Sequence, residues 1–543
     1  MDNNTFFIIG GIISFILFRY YGIYKSKEEK IAFFKTQWGK KQEDRYINFD
    51  RVKIYLNKST NSSIYQKIEQ NSINDLDLND VFRFINRTCS SIGEQYMYFK
   101  FLTINTLTQK NTTFNKLTSF FQENTEKRLE IQLLLSKLSS SHGFNVEKLI
   151  HDKFGKNPDY NWLSYFSNIL TITCLILSIK FPFLLAFILI LFLMNMAMHM
   201  LNKRNLDTYS DIISYLFLML KVKKKMHPHL KNSIDDIDTR GIERIKWYSF
   251  FIKFSSEEDG DPIKQILFWG LEIIKIAFNI EVIAFFLCIR KLEKQAENIN
   301  QLYQYIGTID TAQSIANVLD SDIATCIPTF SDTYAVKNSI HPLIKNCVPN
   351  SFSLSKRGML LTGSNMSGKT TFIRTIGLNT ILAQNFNFCF ADEYTAPFFK
   401  IYSSIRINDS IKDNSSYYLQ EVKTVKKIVD ASEVDLPSLF IMDELFKGTN
   451  TIERIKGANA ILSYIGRPPH YTFIATHDLE LTDLQKNNYE LWHFSEKIDN
   501  NDLVFDHKLK RGKISKLNAI KILDHYHYPK QIINACNNLE VII

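Results

Sequence analysis

Eight consecutive residues, Gly363-Ser364-Asn365-Met366-Ser367-Gly368-Lys369-Thr370, concentrate more usable chemistry than any other stretch of the chain. The two glycines let a loop curl until its backbone amides converge, and the residues that follow add an ammonium group and a hydroxyl. Such a set suits a polyphosphate. Leu360 and Leu361 lead into it as the end of a strand, and Thr371 to Ala383 continues as a helix, so a helix N-terminus faces the same anion. On this reading Gly363, Ser364, Asn365, Met366, Ser367, Gly368, Lys369, Thr370 and Thr371 hold a nucleotide, with Lys369 between the β- and γ-phosphates and the Thr370 hydroxyl on Mg²⁺.

Two later stretches complete that chemistry. Leu439-Phe440-Ile441-Met442-Asp443-Glu444 is an apolar run ending in two acids, as a buried parallel strand delivers carboxylates at its C-terminal edge. Asp443 is expected to hold Mg²⁺ with Thr370, and Glu444 to polarise an attacking water as general base. Tyr471 to Thr476 reads as another buried strand, and His477 at its end can hydrogen-bond a γ-phosphate or the lytic water. ATP and Mg²⁺ are therefore the implied ligands, and hydrolysis of ATP the implied reaction.

The elements that must position these groups belong to a chain of 543 residues, 45% hydrophobic, long enough for three or four domains. Phe (42) and Tyr (25) are abundant while Gly (19) and Pro (12) are scarce, which favours helices and excludes a disordered or collagen-like chain. The seven cysteines are well separated, with no CxxC pair, which argues for reduced thiols rather than a disulfide or zinc framework. A net charge of +9 over this length selects no partner, but it gathers locally in Lys221, Lys223, Lys224, Lys225 and Lys231 around His227 and His229, and again in Lys508, Lys510, Arg511, Lys513 and Lys516. Either cluster is also what a solvated face looks like.

Three apolar segments set the chain apart from an ordinary soluble enzyme. Phe6 to Phe18 is uncharged and is followed by Arg19, Lys25, Lys27 and Lys30. Trp162 to Ile179 and Phe181 to Leu201 are uncharged and separated by Lys180, with Lys153 and Lys156 before them and Lys203 and Arg204 after. Their lengths fit a transmembrane helical hairpin, and the flanking cations orient both of its ends to the cytoplasm. Three spans of an inner or plasma membrane are expected, with the remainder cytoplasmic.

The predicted organisation is a multidomain α and α/β protein. Residues 1–25 form a transmembrane anchor, 26–160 a cytoplasmic helical segment, 161–202 the hairpin, 203–335 a helical core or lever, and 336–543 a nucleotide-binding α/β domain. In the helical parts, Thr125 to Leu138 reads as an amphipathic stretch, and Pro262 to Lys294 as a long helical pattern whose Leu267, Leu271, Ile274, Phe278 and Ile283 approximate one stripe.

The run Thr362 to Thr371, then Met442-Asp443-Glu444-Leu445-Phe446-Lys447-Gly448-Thr449-Asn450-Thr451, then Ala475-Thr476-His477-Asp478, resembles the MutS family of DNA mismatch-repair ATPases. His341-Pro342-Leu343 and Val348-Pro349-Asn350 resemble the start of that family's ATPase domain, and Arg87-Thr88-Cys89-Ser90-Ser91-Ile92-Gly93 the start of its helical core. The resemblance implies an ABC-type ATPase that works as a homodimer, each nucleotide being closed over by a serine from the other subunit. Ser416, in Ser415-Ser416-Tyr417-Tyr418 ahead of Glu421, is similar to that serine. Two departures stand out: no Phe-x-Glu mismatch reader is visible near the N-terminus, and Cys347 lies near the position where an aromatic platform for adenine is implied. The chain thus looks like a membrane-anchored branch without the mismatch-reading domain, binding mismatched or branched DNA through its helical arms. The alternative is a nucleotide-switched membrane scaffold or regulator that binds protein or lipid instead of DNA.

Overall fold

The computed structural model describes residues 25–40, 46–59, 64–105, 112–152, 161–248, 270, 273–364, 366–406, 417–499, 502–514 and 528–538. Up to residue 319 these are helices, apart from the short antiparallel pair Ile64–Lys67 and Thr103–Asn105. Beyond residue 328, strands and helices are interspersed.

The helical half is pinned by a buried polar knot. Helix α1 (Ser91–Leu102) is capped by Ser90, whose hydroxyl accepts the Gly93 N–H at 2.9 Å. The Asp310 carboxylate, fully buried, accepts the N–H groups of Cys89 and Ser90 at 2.9 and 2.8 Å and the Ser90 hydroxyl at 2.5 Å. Gly93 makes the approach possible, because a Cβ there would lie 2.0 Å from Asp310 Oδ2. Arg87 adds a bond to Asn317 Oδ1 at 2.7 Å. These bonds tie together two segments that sequence separates by some 220 positions.

Helices α2 (Asn161–Ser178) and α3 (Leu184–Leu230) form the expected hairpin around residues 179–183. Of the described helices, one stretch, Leu184–Lys203, is long and apolar enough to cross a membrane, and Trp162–Ser178 is a shorter apolar helix. Phe6 to Phe18 lies outside the described residues. Helix α3 runs on unbroken past residue 203, and there its role changes: Ile212, Leu216, Met219 and Met226 enter the main core, whereas Leu185, Phe187, Leu189 and Ile190 are exposed.

Of the segment Pro262 to Lys294, the structure describes residue 270 and residues 273–294, with Leu267 and Leu271 outside the described residues, and the described part is not one unbroken helix. It breaks at Phe278 and Asn279, where Asn279 takes a left-handed φ of 45° before the helix Ile280–Glu293. The break leaves carbonyls without helical partners, and the hairpin supplies donors: Asn195 to Ala277 O at 2.6 Å and Asn168 to Phe278 O at 2.5 Å. Asn195 Oδ1 in turn accepts from Ser167 at 2.6 Å and Asn279 at 2.8 Å. The next helix, α4 (Ala296–Leu319), is buried around most of its circumference and carries Asp310.

The second half is built on a six-stranded sheet. Its strands are β1 (Gly358–Thr362), β2 (Lys400–Ser404), β3 (Ser438–Asp443), β4 (Tyr471–Ala475), β5 (Glu490–His493) and β6 (Lys510–Arg511), in the order β6-β5-β1-β4-β3-β2. All neighbours are parallel except β6 against β5. β1, β3 and β4 are buried at every position, which explains their unbroken apolar sequences. A four-stranded sheet packs nearby through Tyr334, whose ring lies 5.3 Å from Phe352 and 5.4 Å from Phe473.

The two halves share one core and specific polar contacts. Helix α5 (Lys369–Phe386) stacks Phe386 on Phe101 at 6.0 Å, and Asn385 donates to Phe101 O at 2.8 Å. Asp77 receives Arg374 of α5 at 3.1 Å and Arg406, just beyond β2, at 2.8 Å. Asp75 accepts the N–H groups of Ile405 and Arg406 at 3.1 and 2.7 Å.

Candidate nucleotide site

Strand register decides where the chemistry meets. Ala475 pairs with both Leu361 and Asp443, so β1, β3 and β4 end level with one another. The loop after β1, the acids after β3 and His477 after β4 therefore emerge at one edge, the edge where open parallel sheets bind ligands.

Gly363 and Gly368 have φ of 145° and 107°, and a Cβ on Gly363 would lie 2.8 Å from Phe494 O. The loop so formed wraps Lys369, whose ammonium donates to Gly363 O at 2.6 Å and Ser364 O at 2.9 Å. Burial lowers the Lys369 pKa to about 8, against the opposing pull of Asp443 and Glu444. Thr370 donates its hydroxyl to Asp443 Oδ2 at 2.6 Å, bringing two oxygens of the kind Mg²⁺ prefers within reach of one ion. Ser364, Ser367 and Thr371 stand in or directly after the loop, as their spacing implied; Asn365 lies outside the described residues.

Glu444 has a left-handed φ of 55° and donates its N–H to Ala475 O at 2.8 Å, which turns its side chain toward β4. His477 Nε2 lies 2.8 Å from Glu444 Oε1 and 3.4 Å from the Lys369 ammonium. The shorter contact fixes the proton on Nε2, since one nitrogen cannot donate to the carboxylate and accept from lysine at once. The bond to His477, with Lys447 at 3.5 Å adding charge, holds the Glu444 pKa down at about 2. Glu444 is thus ionised but weakly basic while His477 is on it; moving the imidazole onto a phosphate would raise its basicity.

The surroundings fix these groups in place. Arg454 on α7 (Thr451–Ile465) forks onto Asp478 at 2.6 and 2.9 Å, anchoring the residue after His477. Asn450 caps α7 by accepting the Glu453 N–H at 2.9 Å, which gives the Gly448-Thr449-Asn450-Thr451 run a structural task. Glu421, on α6 (Tyr417–Ser432), accepts the N–H groups of Phe446 and Lys447. Burial raises its pKa against those bonds. Ser416 lies outside the described residues, five positions before Glu421.

Sequence reasoning missed part of the site. Ser364 donates to Glu496 Oε2 at 2.7 Å, and His507 Nδ1 sits 3.0 Å from Ser367 O. Neither residue belongs to a recognisable spacing. Asn350 ties His507 back by donating to its carbonyl at 3.0 Å. Beside them opens a cleft of about 580 Å³ whose walls include Ile344, Cys347, Met366, Phe494 and His507, the size and place for a base and ribose. Cys347 accepts the His341 N–H at 3.3 Å, so a thiol stands at that position, and the rings lining the cleft are those of Phe372, Phe494 and His507.

Residues 359–542 match the family model for MutS domain V. A DNA mismatch repair protein MutS from Thermus thermophilus is 28% identical over 259 residues, 47% of this chain and 32% of that protein. MutS of Listeria monocytogenes serotype 4a is 32% identical over 267 residues, covering 46% and 31% of the two chains, and MutS of Streptococcus pyogenes serotype M1 is 29% identical over 269 residues, covering 47% and 31%. The matched stretch thus spans about a third of the length of these curated relatives. The phosphate loop, the paired acids and the histidine gather at one sheet edge inside that stretch, so residues 359–542 form a domain similar to MutS domain V.

Proposed function

We propose that this chain is a membrane-held, ABC-type ATPase that binds Mg·ATP between its phosphate loop and Asp443, hydrolyses it with Glu444 and His477, and couples the cycle to pairing of two copies. The observation that carries the reading is the convergence of Lys369, Thr370–Asp443 and Glu444–His477 at the level ends of three strands. Mg²⁺, held by Thr370 and Asp443, supplies charge neutralisation on the phosphates. Lys369 orients the β- and γ-phosphates. His477 exchanges its bond to Glu444 for one to the γ-phosphate, and Glu444 takes the proton of the attacking water. Ser416 of the second copy is proposed to close over the nucleotide, and Glu421 behind it supports the backbone of Phe446 and Lys447.

The helical half is the proposed output. Asp77 grips both α5 and the segment leading to Ser416, so rearrangement around the nucleotide is passed directly to the helices. DNA is the proposed ligand of those helices, on the strength of the family alone.

The membrane reading rests on an inversion within the hairpin. Its buried side chains include the polar Ser164, Ser167, Thr171, Asn195 and Asn202, while Trp162, Phe166, Ile169, Ile176, Phe183 and Leu189 are more than half exposed. Water would favour the reverse, and a bilayer favours this one. The same patch supports the scaffold alternative as well as the DNA reading, so the two are separated by titration. Fluorescence anisotropy with duplex, branched and mismatched DNA over a salt series is expected to give affinity that falls steeply as salt rises. Anisotropy no greater than with a neutral polymer at low salt overturns DNA as ligand and leaves the scaffold. Alkaline carbonate extraction is expected to leave the protein with the membrane pellet, and release into the supernatant overturns the bilayer anchor.

A further inference from the structure

The first lysine cluster does not behave as one solvated face. Lys223 is buried and paired with Asp236, and Lys224 pairs with Glu243 at 2.9 Å. Lys225 instead points into a cleft of about 570 Å³, where it meets Lys27 and Lys30 from the helix at residues 25–37, Lys137 from the end of the 125–138 segment, and His229. Glu130 is the one carboxylate lining the cleft, 3.5 Å from His229 Nε2. Among the described residues the four lysines have no acidic partner.

Three separate elements have therefore been folded so that like charges face one another. Burial, then the charges of Lys225, Lys221, Lys27 and Lys30, push the Lys137 pKa down. Such an arrangement costs stability unless something anionic relieves it. Leu133 and Leu134 give the cleft an apolar side, so it presents cations together with a hydrophobic wall.

We propose that this cleft is a second anion site, separate from the phosphate loop, that takes a group carrying two or more phosphate charges. Its shape argues against a DNA backbone, which needs an exposed track of cations rather than a concavity flanked by lysines already paired with acids. Lys225 lies 22 positions beyond the apolar stretch that ends at Lys203, but Lys27 and Lys30 follow Phe18 by only 9 and 12 positions, so a lipid headgroup offers the same phosphate chemistry as a soluble molecule and the vesicle arm of the test separates the two sources.

The test uses inorganic tripolyphosphate as probe, titrated calorimetrically without magnesium into the full chain carrying Lys369→Ala, so that the phosphate loop is disabled. One saturable site per chain is expected, weakening as salt rises. Adding Lys137→Glu and Lys225→Glu is expected to reduce affinity by about tenfold or more, while Lys423→Glu on α6 leaves it unchanged. Should the reversed pair fail to fold, Lys137→Gln with Lys225→Gln serves instead: tripolyphosphate is expected to raise the melting midpoint of the parent and not of that variant. Parallel arms use duplex DNA and vesicles containing phosphatidic acid. No saturable heat, equal affinity in the charge variants, or binding of DNA or vesicles that depends on Lys137 and Lys225 but is not displaced by tripolyphosphate, would each overturn the proposal.

Discussion

Lys369 is the residue whose burial makes the strongest quantitative demand. With its pKa lowered to about 8, the side chain is neutral in about a tenth of molecules at pH 7, half at pH 8 and nine-tenths at pH 9. Phosphates placed against the ammonium favour its charged form and return the pKa toward its ordinary value. Nucleotide binding must then draw in protons: about 0.1 per site at pH 7, about 0.5 at pH 8 and about 0.9 at pH 9. Affinity is expected to fall above pH 8, approaching about tenfold per pH unit. Mg·ADP is the appropriate ligand, because it is not hydrolysed and its own phosphates are already ionised in this range. Titration calorimetry in two buffers of different ionisation enthalpy gives the uptake directly. In Lys369→Arg, whose guanidinium stays charged throughout, any residual binding is expected to proceed without uptake. Uptake that stays flat from pH 7 to 9, or that persists in the arginine variant, would refute the reasoning.

Three further outcomes follow from contacts already described. Gly93→Ala drives a methyl into Asp310 and is expected to destabilise the helical half by about 3 kcal/mol or more, read as a lower urea midpoint, whereas Ser90→Ala costs about 1 kcal/mol. His477→Ala removes the main cause of the low Glu444 pKa. The stability that the hydrogen-bonded Glu444 carboxylate contributes is present above pH 4.5 and lost as pH falls toward 2, so the variant's acid unfolding, followed by tryptophan fluorescence, is expected to begin at higher pH. Asp77→Ala leaves Arg374 and Arg406 without their shared partner; Mg·ADP affinity is expected to change by less than about threefold, while nucleotide-dependent protease protection of the helical half is lost.

Much of the site was legible because its information is local. A glycine-bracketed loop, a buried strand ending in Asp443 and Glu444, and a second strand ending before His477 each announce themselves within about ten residues, and parallel register then brings them together. The helix after the loop is longer than its sequence suggested, Lys369–Phe386 rather than Thr371 to Ala383, because its later residues are buried against the helical half. What stayed hidden depends on distant chain segments. Nothing near Glu496 or His507 marks them as loop partners, since their contacts span 132 and 140 positions. Asp310 reads as an ordinary helical acid until Ser90 is seen opposite it.

The cysteines teach the same lesson. They are far apart in sequence and none of the seven is in a disulfide, yet Cys326 and Cys389 face one another across a β-bridge with sulfurs 3.5 Å apart. The helix break at Phe278 and Asn279 was hidden for a related reason: a left-handed Asn279 is stable there because Asn168 and Asn195 satisfy the carbonyls it exposes. Of the second basic cluster, Lys510, Arg511 and Lys513 are each paired with a nearby acid, a pairing that charge counting could not anticipate.

The most direct test of the central claim, that Lys369, Asp443 and Glu444 act on one nucleotide, is a filter-retention and turnover measurement with radiolabelled ATP and Mg²⁺ on three proteins. The parent is expected to release labelled phosphate over many turnovers, Glu444→Gln to retain intact ATP with turnover reduced by about a hundredfold or more, and Lys369→Ala to retain little nucleotide. Retention and turnover indistinguishable among the three would contradict the account.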